Sequence, residues 1–276
     1  MWSIGIYKGS SLDNLFSETN NPIITKDIVT DFEAEFVADP FMINVKGMWY
    51  LFFEALDKPF NKGRICVACS KDLVDWNYLG VALKEDFHLS YPFVFDFNGK
   101  IYMTPETLGA DGVILYEAVD FPLNWRKVKK IINGKHADPT VFYYQNLWWM
   151  FTCETPYQYD SLSVFWSEKL DGDWYAHKEN PVYSGIKSHS RPGGRIYLSD
   201  GGIFRFFQNC HNVYGEYVGI SKIEHLSTDI FRETIISEKF LGPSGKGWNK
   251  ERMHHIDCHE LSKGCLVACV DGYARR

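Results

Sequence analysis

His136-Ala137-Asp138-Pro139-Thr140-Val141-Phe142-Tyr143-Tyr144-Gln145-Asn146-Leu147-Trp148-Trp149-Met150-Phe151 is the stretch whose repetition decides the fold. A short strand opens on Asp-Pro, Gln145-Asn146 supplies turn chemistry, and a second apolar strand follows. Ala38-Asp39-Pro40-Phe41 precedes Lys46-Gly47-Met48-Trp49-Tyr50-Leu51-Phe52-Phe53 in the same way. Tyr91-Pro92-Phe93 precedes Asn98-Gly99-Lys100-Ile101-Tyr102-Met103, and Ser190-Arg191-Pro192-Gly193 precedes Asp200-Gly201-Gly202-Ile203-Phe204-Arg205-Phe206-Phe207. By their numbers the four prolines stand 52, 47 and 53 residues apart.

A second element follows each pair: Ser70 to Trp76, Glu117 to Trp125 and Ser167 to Trp174, with the three tryptophans 49 residues apart. Ser221 to Phe231 is a looser fourth copy. Each reads as a strand, a polar turn and a fourth strand opening on an aromatic residue. Four strands in a unit of about 50 residues is the signature of a β-propeller blade. Four blades fall at about 33–83, 88–132, 136–183 and 189–237. Residues 252–271 and 2–26 share the fifth, the latter through Ser3-Ile4-Gly5-Ile6-Tyr7 and Pro22-Ile23-Ile24. The expected fold is therefore all-β, one five-bladed propeller over residues 1–276, closed by N- and C-terminal strands in a common sheet that leaves no open edge. A β-sandwich also has many short strands but gives no reason for a 49-residue recurrence.

Aromatics make up 16% of the chain, which suits stacked sheets and sugar-facing surfaces. A net charge of −6 argues against nucleic acid as a partner, since phosphate neutralisation needs a basic face. Seven cysteines, an odd number, do not form a disulfide framework, and Cys66 and Cys69 fall inside a strand. No apolar run reaches the ~20 residues of a membrane span, and the N-terminal residues lack the charged and apolar regions of a signal peptide. A cytoplasmic protein is expected.

In a propeller, inner strands start at the axial mouth and second strands return to it. The residues before each repeat's proline (Asp39, Tyr91, Asp138 and Arg191) should then share one funnel with His255 and Asp257. Glu54, Glu106, Glu154, Gln208, Asn209 and Asp271 end second strands and join them, and Tyr157 and Tyr159 lie on the next loop. Carboxylates crowded together raise one another's pKa, an arrangement kept for chemistry or cation binding. His254, His255, Asp257 and His259 could ligate a metal, and the funnel acids could hold Mn²⁺ or Ca²⁺, with metal dependence left open by the sequence. Asp171-Gly172-Asp173 reads as a turn on the opposite face, and Lys246, Lys250 and Arg252 as a solvated loop.

Asp39-Pro40 and Asp138-Pro139 resemble the five-bladed propeller glycosidases, the arabinanases, xylosidases and invertases. That resemblance implies a blade-one Asp as base or nucleophile, a blade-three Asp that positions substrate, and a Glu acid at the start of blade four. Here that last place reads Ser190-Arg191-Pro192-Gly193-Gly194-Arg195, and a guanidinium cannot give up a proton. This string, with Gln208-Asn209-Cys210, Tyr214-Gly215, His254-His255-Ile256-Asp257 and Val270-Asp271-Gly272, resembles another branch. It is similar to the propeller of glucosamine inositolphosphorylceramide transferases and to the chlorovirus xylosyltransferases of glycosyltransferase family 114. The resemblance implies a glycosyltransferase moving a sugar, first xylose, from a UDP-sugar donor to a glycan hydroxyl, in a host cytoplasm if virus-encoded. It assigns base catalysis to Asp39, with Asp138 in reserve, and diphosphate neutralisation to Arg191 with His255 and Arg195. Asp257 would orient His255, and Tyr91, Tyr157 and Tyr159 would stack on uracil or sugar. The alternatives are a glycosidase, with Glu154 or Glu106 as its acid, and a non-catalytic glycan-binding propeller.

Overall fold

The computed structural model describes residues 1–275 and is a five-bladed β-propeller of antiparallel sheets. Blade one is built from the strands Ala34–Val45, Met48–Asp57, Lys62–Ser70 and Asn77–Leu83. Blade two runs Ser90–Phe97, Lys100–Glu106, Gly112–Asp120 and Asn124–Asn133. In blade three, Ala137–Tyr144, Leu147–Cys153 and Ser161–Ser167 are followed by an outer edge in two pieces, Tyr175–Ala176 and Tyr183–Ser184. Blade four holds Tyr197–Ser199, Gly202–Asn209, Tyr217–Leu226 and Phe231–Leu241.

Blade five closes the ring. Ile256–Ser262 is innermost, Cys265–Tyr273 pairs with Trp2–Gly9, and Leu15–Ser17 forms the edge. The expected edge at Pro22-Ile23-Ile24 is displaced: Ile24 makes only a single bridge to Ile4, and the 3₁₀ turn Leu12–Asn14 brings Leu15–Ser17 into register earlier.

Aromatic and β-branched residues from facing sheets pack between the blades. Phe41, Phe52, Tyr91, Phe93, Tyr116 and Met150 join blades one to three, and Phe151, Phe231 and Leu162 join blades three and four. All seven cysteines are free, and Asp171-Gly172-Asp173 is the turn before the outer edge of blade three, contacted by Lys129. Among the described residues no helix is long and apolar enough to cross a membrane.

One local feature aims the site. Asp39, Tyr91 and Asp138 adopt positive φ (52°, 47° and 53°), each at a bulge where its inner strand skips register with the second strand. A non-glycine residue in this region costs about 1–3 kcal/mol, and a following proline further narrows its choices. The bulge turns the backbone N–H toward the neighbouring blade's carboxylate. Asp39 donates to Asp271 (3.2 Å), Tyr91 to Asp39 (3.3 Å) and Asp138 to Glu106 (3.2 Å). Blade four departs from this pattern. Gly194 (φ +142°) lies so close to Ile256 that a Cβ there would overlap its carbonyl, and this contact brings Arg191 to the mouth and Arg195 below it.

Candidate active site

The mouth gathers the buried carboxyls of Asp39, Glu54, Glu106, Asp138 and Asp271 with Arg191 and His254. Arg191 donates through Nε to Asp138 (2.5 Å), through Nη1 to Pro156 O (2.9 Å) and through Nη2 to Glu106 (3.4 Å). Tyr159 and Tyr214 flank its guanidinium at 5.4 and 5.3 Å. Gln208 completes the Asp138 environment, donating to its Oδ2 (2.8 Å) and to Pro192 O (2.9 Å). Asp138 is thus held as the counter-ion of Arg191, whose charge is already matched by Asp138 and Glu106 rather than left free for a departing diphosphate.

Asp39 is held differently. Its Oδ2 accepts from Tyr91, and its Oδ1 lies 3.9 Å from His254 Nε2. His254 Nδ1 is 2.7 Å from Asp271, and the ring stacks on Trp2 at 4.1 Å. Asp271 also accepts both the His254 and His255 backbone N–H groups at 3.1 Å. Burial opposes the His254 charge, but Asp271 and then Asp39 outweigh it and raise its pKa. Burial likewise pushes Asp39 well above the usual carboxylate range, against the pull of His254, with Glu54, Asp138 and Asp271 adding to the rise. Glu106 is pushed up to about 7 by burial and then by Asp138, against Arg191.

One ligand atom from each of Asp39, His254 and Asp271 falls within a 4.8 Å group, the spacing a cation could use. The donor set does not suit Mn²⁺ or Ca²⁺. Asp271 already accepts three backbone N–H groups and faces the His254 ring, so its lone pairs are engaged.

Several expected funnel residues lie elsewhere. Tyr91 is fully buried, edge-on to Phe41 and His255, with its hydroxyl shared by Thr140 (2.7 Å) and Gly194 (2.9 Å), so it offers no stacking face. His255 is buried with both ring nitrogens unpartnered among the described residues; burial lowers its pKa to about 4, and a neutral ring cannot neutralise phosphate. Asp257 does not orient His255. It binds Arg195 (2.5 Å) and His259 (2.8 Å) and accepts from Met42 N (2.6 Å).

Arg195 also donates to Val94 O (2.8 Å), and with His259 it lines the opening at the opposite end of the channel, beside Asn44, Trp49 and Asp96. Three residues of inner strand, about 10 Å, separate Asp39 from Met42. Asn209 is tied to Glu238 O and His211 N, and Glu154 is exposed at the rim. Trp2 carried no local signal, because its contact with His254 arises only when the ring closes, and Tyr214, noted only within the resembling string, flanks Arg191.

Two pockets flank the mouth. One, of about 720 Å³ between blades two and three, is lined by His88, Glu106, Asp111, Lys135 and Tyr157. The other, of about 530 Å³ where blade five meets blade one, is lined by Trp2, Glu35, Phe36, Tyr273 and Arg275. Arg252 lies over the Tyr273 ring at 4.9 Å.

The fold and this mouth define a five-bladed propeller with a carboxylate-lined funnel. β-1,2-Mannobiose phosphorylase from Listeria innocua has the same fold (TM-score 0.70, 13% identity, 96% of each chain covered). So has a thermostable family-43 glycoside hydrolase (TM-score 0.63, 15% identity, 91% of this chain and 90% of that one). At such identities the likeness concerns the fold alone. The family described as glucosamine inositolphosphorylceramide transferase 1, N-terminal, matches residues 1–273, and the chain belongs to it. Glucosamine inositolphosphorylceramide transferase 1 of Arabidopsis thaliana is 37% identical over 296 residues, covering 98% of this chain. The chain spans 39% of the length of that relative.

Proposed function

We propose that the chain is a glycosyltransferase that moves a sugar, xylose first among candidates, from a UDP-linked donor to a hydroxyl of a polyol or glycan acceptor. The observation that carries this reading is the contrast at the mouth. Asp39 is a carboxyl made more basic than usual, whereas the position resembling the glycosidase acid is Arg191, locked between Asp138 and Glu106. A basic carboxylate suits removal of an acceptor proton, and a locked guanidinium cannot protonate a leaving oxygen.

In this mechanism the Asp39 carboxylate takes the acceptor proton as the acceptor oxygen bonds to the anomeric carbon. The bond from that carbon to the diphosphate breaks, and the electron pair leaves on UDP. His254, held by Asp271, pulls Asp39 toward its ionised form against burial. Arg252, over the ring of Tyr273, offers charge for the nucleotide on the blade-five side, with Phe36 and Tyr273 for stacking and Arg275 held beside it by Glu251. Single displacement of this kind inverts the anomeric centre.

The test is UDP release from a panel of UDP-sugars, followed by ³¹P NMR with and without monosaccharide acceptors. Acceptor-dependent release from one donor is expected; no release from any donor contradicts the reading. A second reading, glycoside hydrolysis, is favoured by one observation, the Glu106 carboxyl able to hold a proton near neutral pH. Cleavage of aryl glycosides without nucleotide would select it.

A further inference from the structure

The pocket between blades two and three is the larger of the two beside the mouth, and its chemistry separates two kinds of ligand. Tyr157 stands at its rim with 68% of its surface exposed, a free aromatic face. Lys135 is exposed, and its ammonium lies 5.9 Å over that ring. Among the described residues no carboxylate forms an ion pair with Lys135. Glu106 reaches the pocket from the mouth, and the exposed Asp111 lies on the wall beside it. His88 is already matched by Glu54 at 3.1 Å. Gly109 lets that wall close on Phe87, since a Cβ there would collide with the phenylalanine Cβ.

The charges decide what fits. Lys135 is the one cation here not paired with a carboxylate, and it is set against Asp111, while Glu106 is already matched by Arg191. A diphosphate carrying two or more negative charges would find one ammonium, already offset by the Asp111 carboxylate. A neutral pyranose meets an aromatic face for its apolar side, carboxylates that accept from vicinal hydroxyls, and an ammonium that donates to them.

We infer that the pocket formed by Glu106, Asp111, Lys135 and Tyr157 is a binding site for a neutral sugar ring, the acceptor side of the site, and that it rejects the nucleotide diphosphate. The inference rests on the transferase reading for the word acceptor, but not for the sugar. An acceptor seated here approaches Asp39 across the Arg191–Asp138–Glu106 cluster, while the nucleotide enters over Trp2 and Tyr273.

Saturation-transfer NMR on the whole chain tests it, using D-xylose, D-mannose, D-galactose and myo-inositol as sugar probes and UDP as the anionic probe. At least one sugar should bind. Tyr157→Ala should weaken it about five- to tenfold, the loss of one stacking contact, with Tyr157→Phe close to wild type. Asp111 has a left-handed backbone (φ 51°) that asparagine also tolerates, so Asp111→Asn should weaken the sugar and leave UDP within twofold. Absence of sugar binding, or loss of UDP rather than sugar in Tyr157→Ala and Lys135→Ala, overturns the assignment. A sugar that binds and responds to these variants, with no UDP-sugar turned over, keeps the subsite and removes the transferase.

Discussion

At the mouth, Asp39 faces Glu54, Asp138 and Asp271 with a single imidazole 3.9 Å away. At the far end of the same channel, Asp257 holds Arg195 at 2.5 Å and His259 at 2.8 Å. Both carboxyls are buried, and burial pushes both upward. At the base Arg195 and then His259 outweigh burial and hold Asp257 well below the usual range; at the mouth one histidine does not, and Asp39 rises. On the proposed reading, the difference separates a charge-compensated cluster from one available for proton transfer. Burial alone marks neither as functional. What matters is whether the charge is compensated.

The comparison can be broken from either side. Asp39→Asn should cost the most, about 10²- to 10⁴-fold in transfer rate, the usual worth of a general base, with UDP binding and melting temperature close to wild type. Single-turnover kinetics beside a thermal melt measure both. Asp257→Asn should behave in the opposite way. It leaves Arg195 buried without its partner and should destabilise the fold by about 3–5 kcal/mol in urea denaturation, while the folded fraction keeps its turnover. Arg191→Lys keeps the charge but loses the fork that spans Asp138, Glu106 and Pro156, a loss of about 1–3 kcal/mol by the same measurement.

The smallest effect is a pH dependence of opposite sign at the two ends. Glu106 holds its proton up to about 7 in the fold against an ordinary 4.5, so its contribution to stability is full below pH 4.5 and is lost as pH rises to about 7. Glu106→Gln should remove that decline. The depressed Asp257 contributes stability above its ordinary 3.8 that is lost as pH falls through and below that value. Asp257→Asn should remove this acid sensitivity, read from urea midpoints across pH 3–8.

The ring itself was legible because hydrophobic pattern and turn residues repeat every blade, and the spacing of Trp76, Trp125 and Trp174 needs no tertiary information. Asp39, Glu106, Asp138, Arg191 and Asp271 were legible as one group for the same reason, since their place in the repeat fixes their height in the channel. Depth within the inner strand was not. Asp257 sits only two residues from His255, yet it belongs to the base layer, because blade five begins its inner strand at Ile256 without the Asp-Pro bulge that holds Asp39 at the mouth. Tyr91 shares that bulge, but its ring turns between Phe41 and His255, a packing choice that follows from neighbours in other blades. The His254 contact with Trp2 joins opposite ends of the chain, and no local pattern announces it.

Carboxyl ¹³C NMR titration of aspartate-labelled protein, assigned with Asp39→Asn and Asp257→Asn, puts both ends of the channel in one spectrum. Asp39 should titrate clearly above 3.8, and Asp257 should remain ionised down to the pH at which the protein unfolds. If the two move together with midpoints near 4, the mouth is compensated like the base, and the assignment of Asp39 as the poised group is wrong.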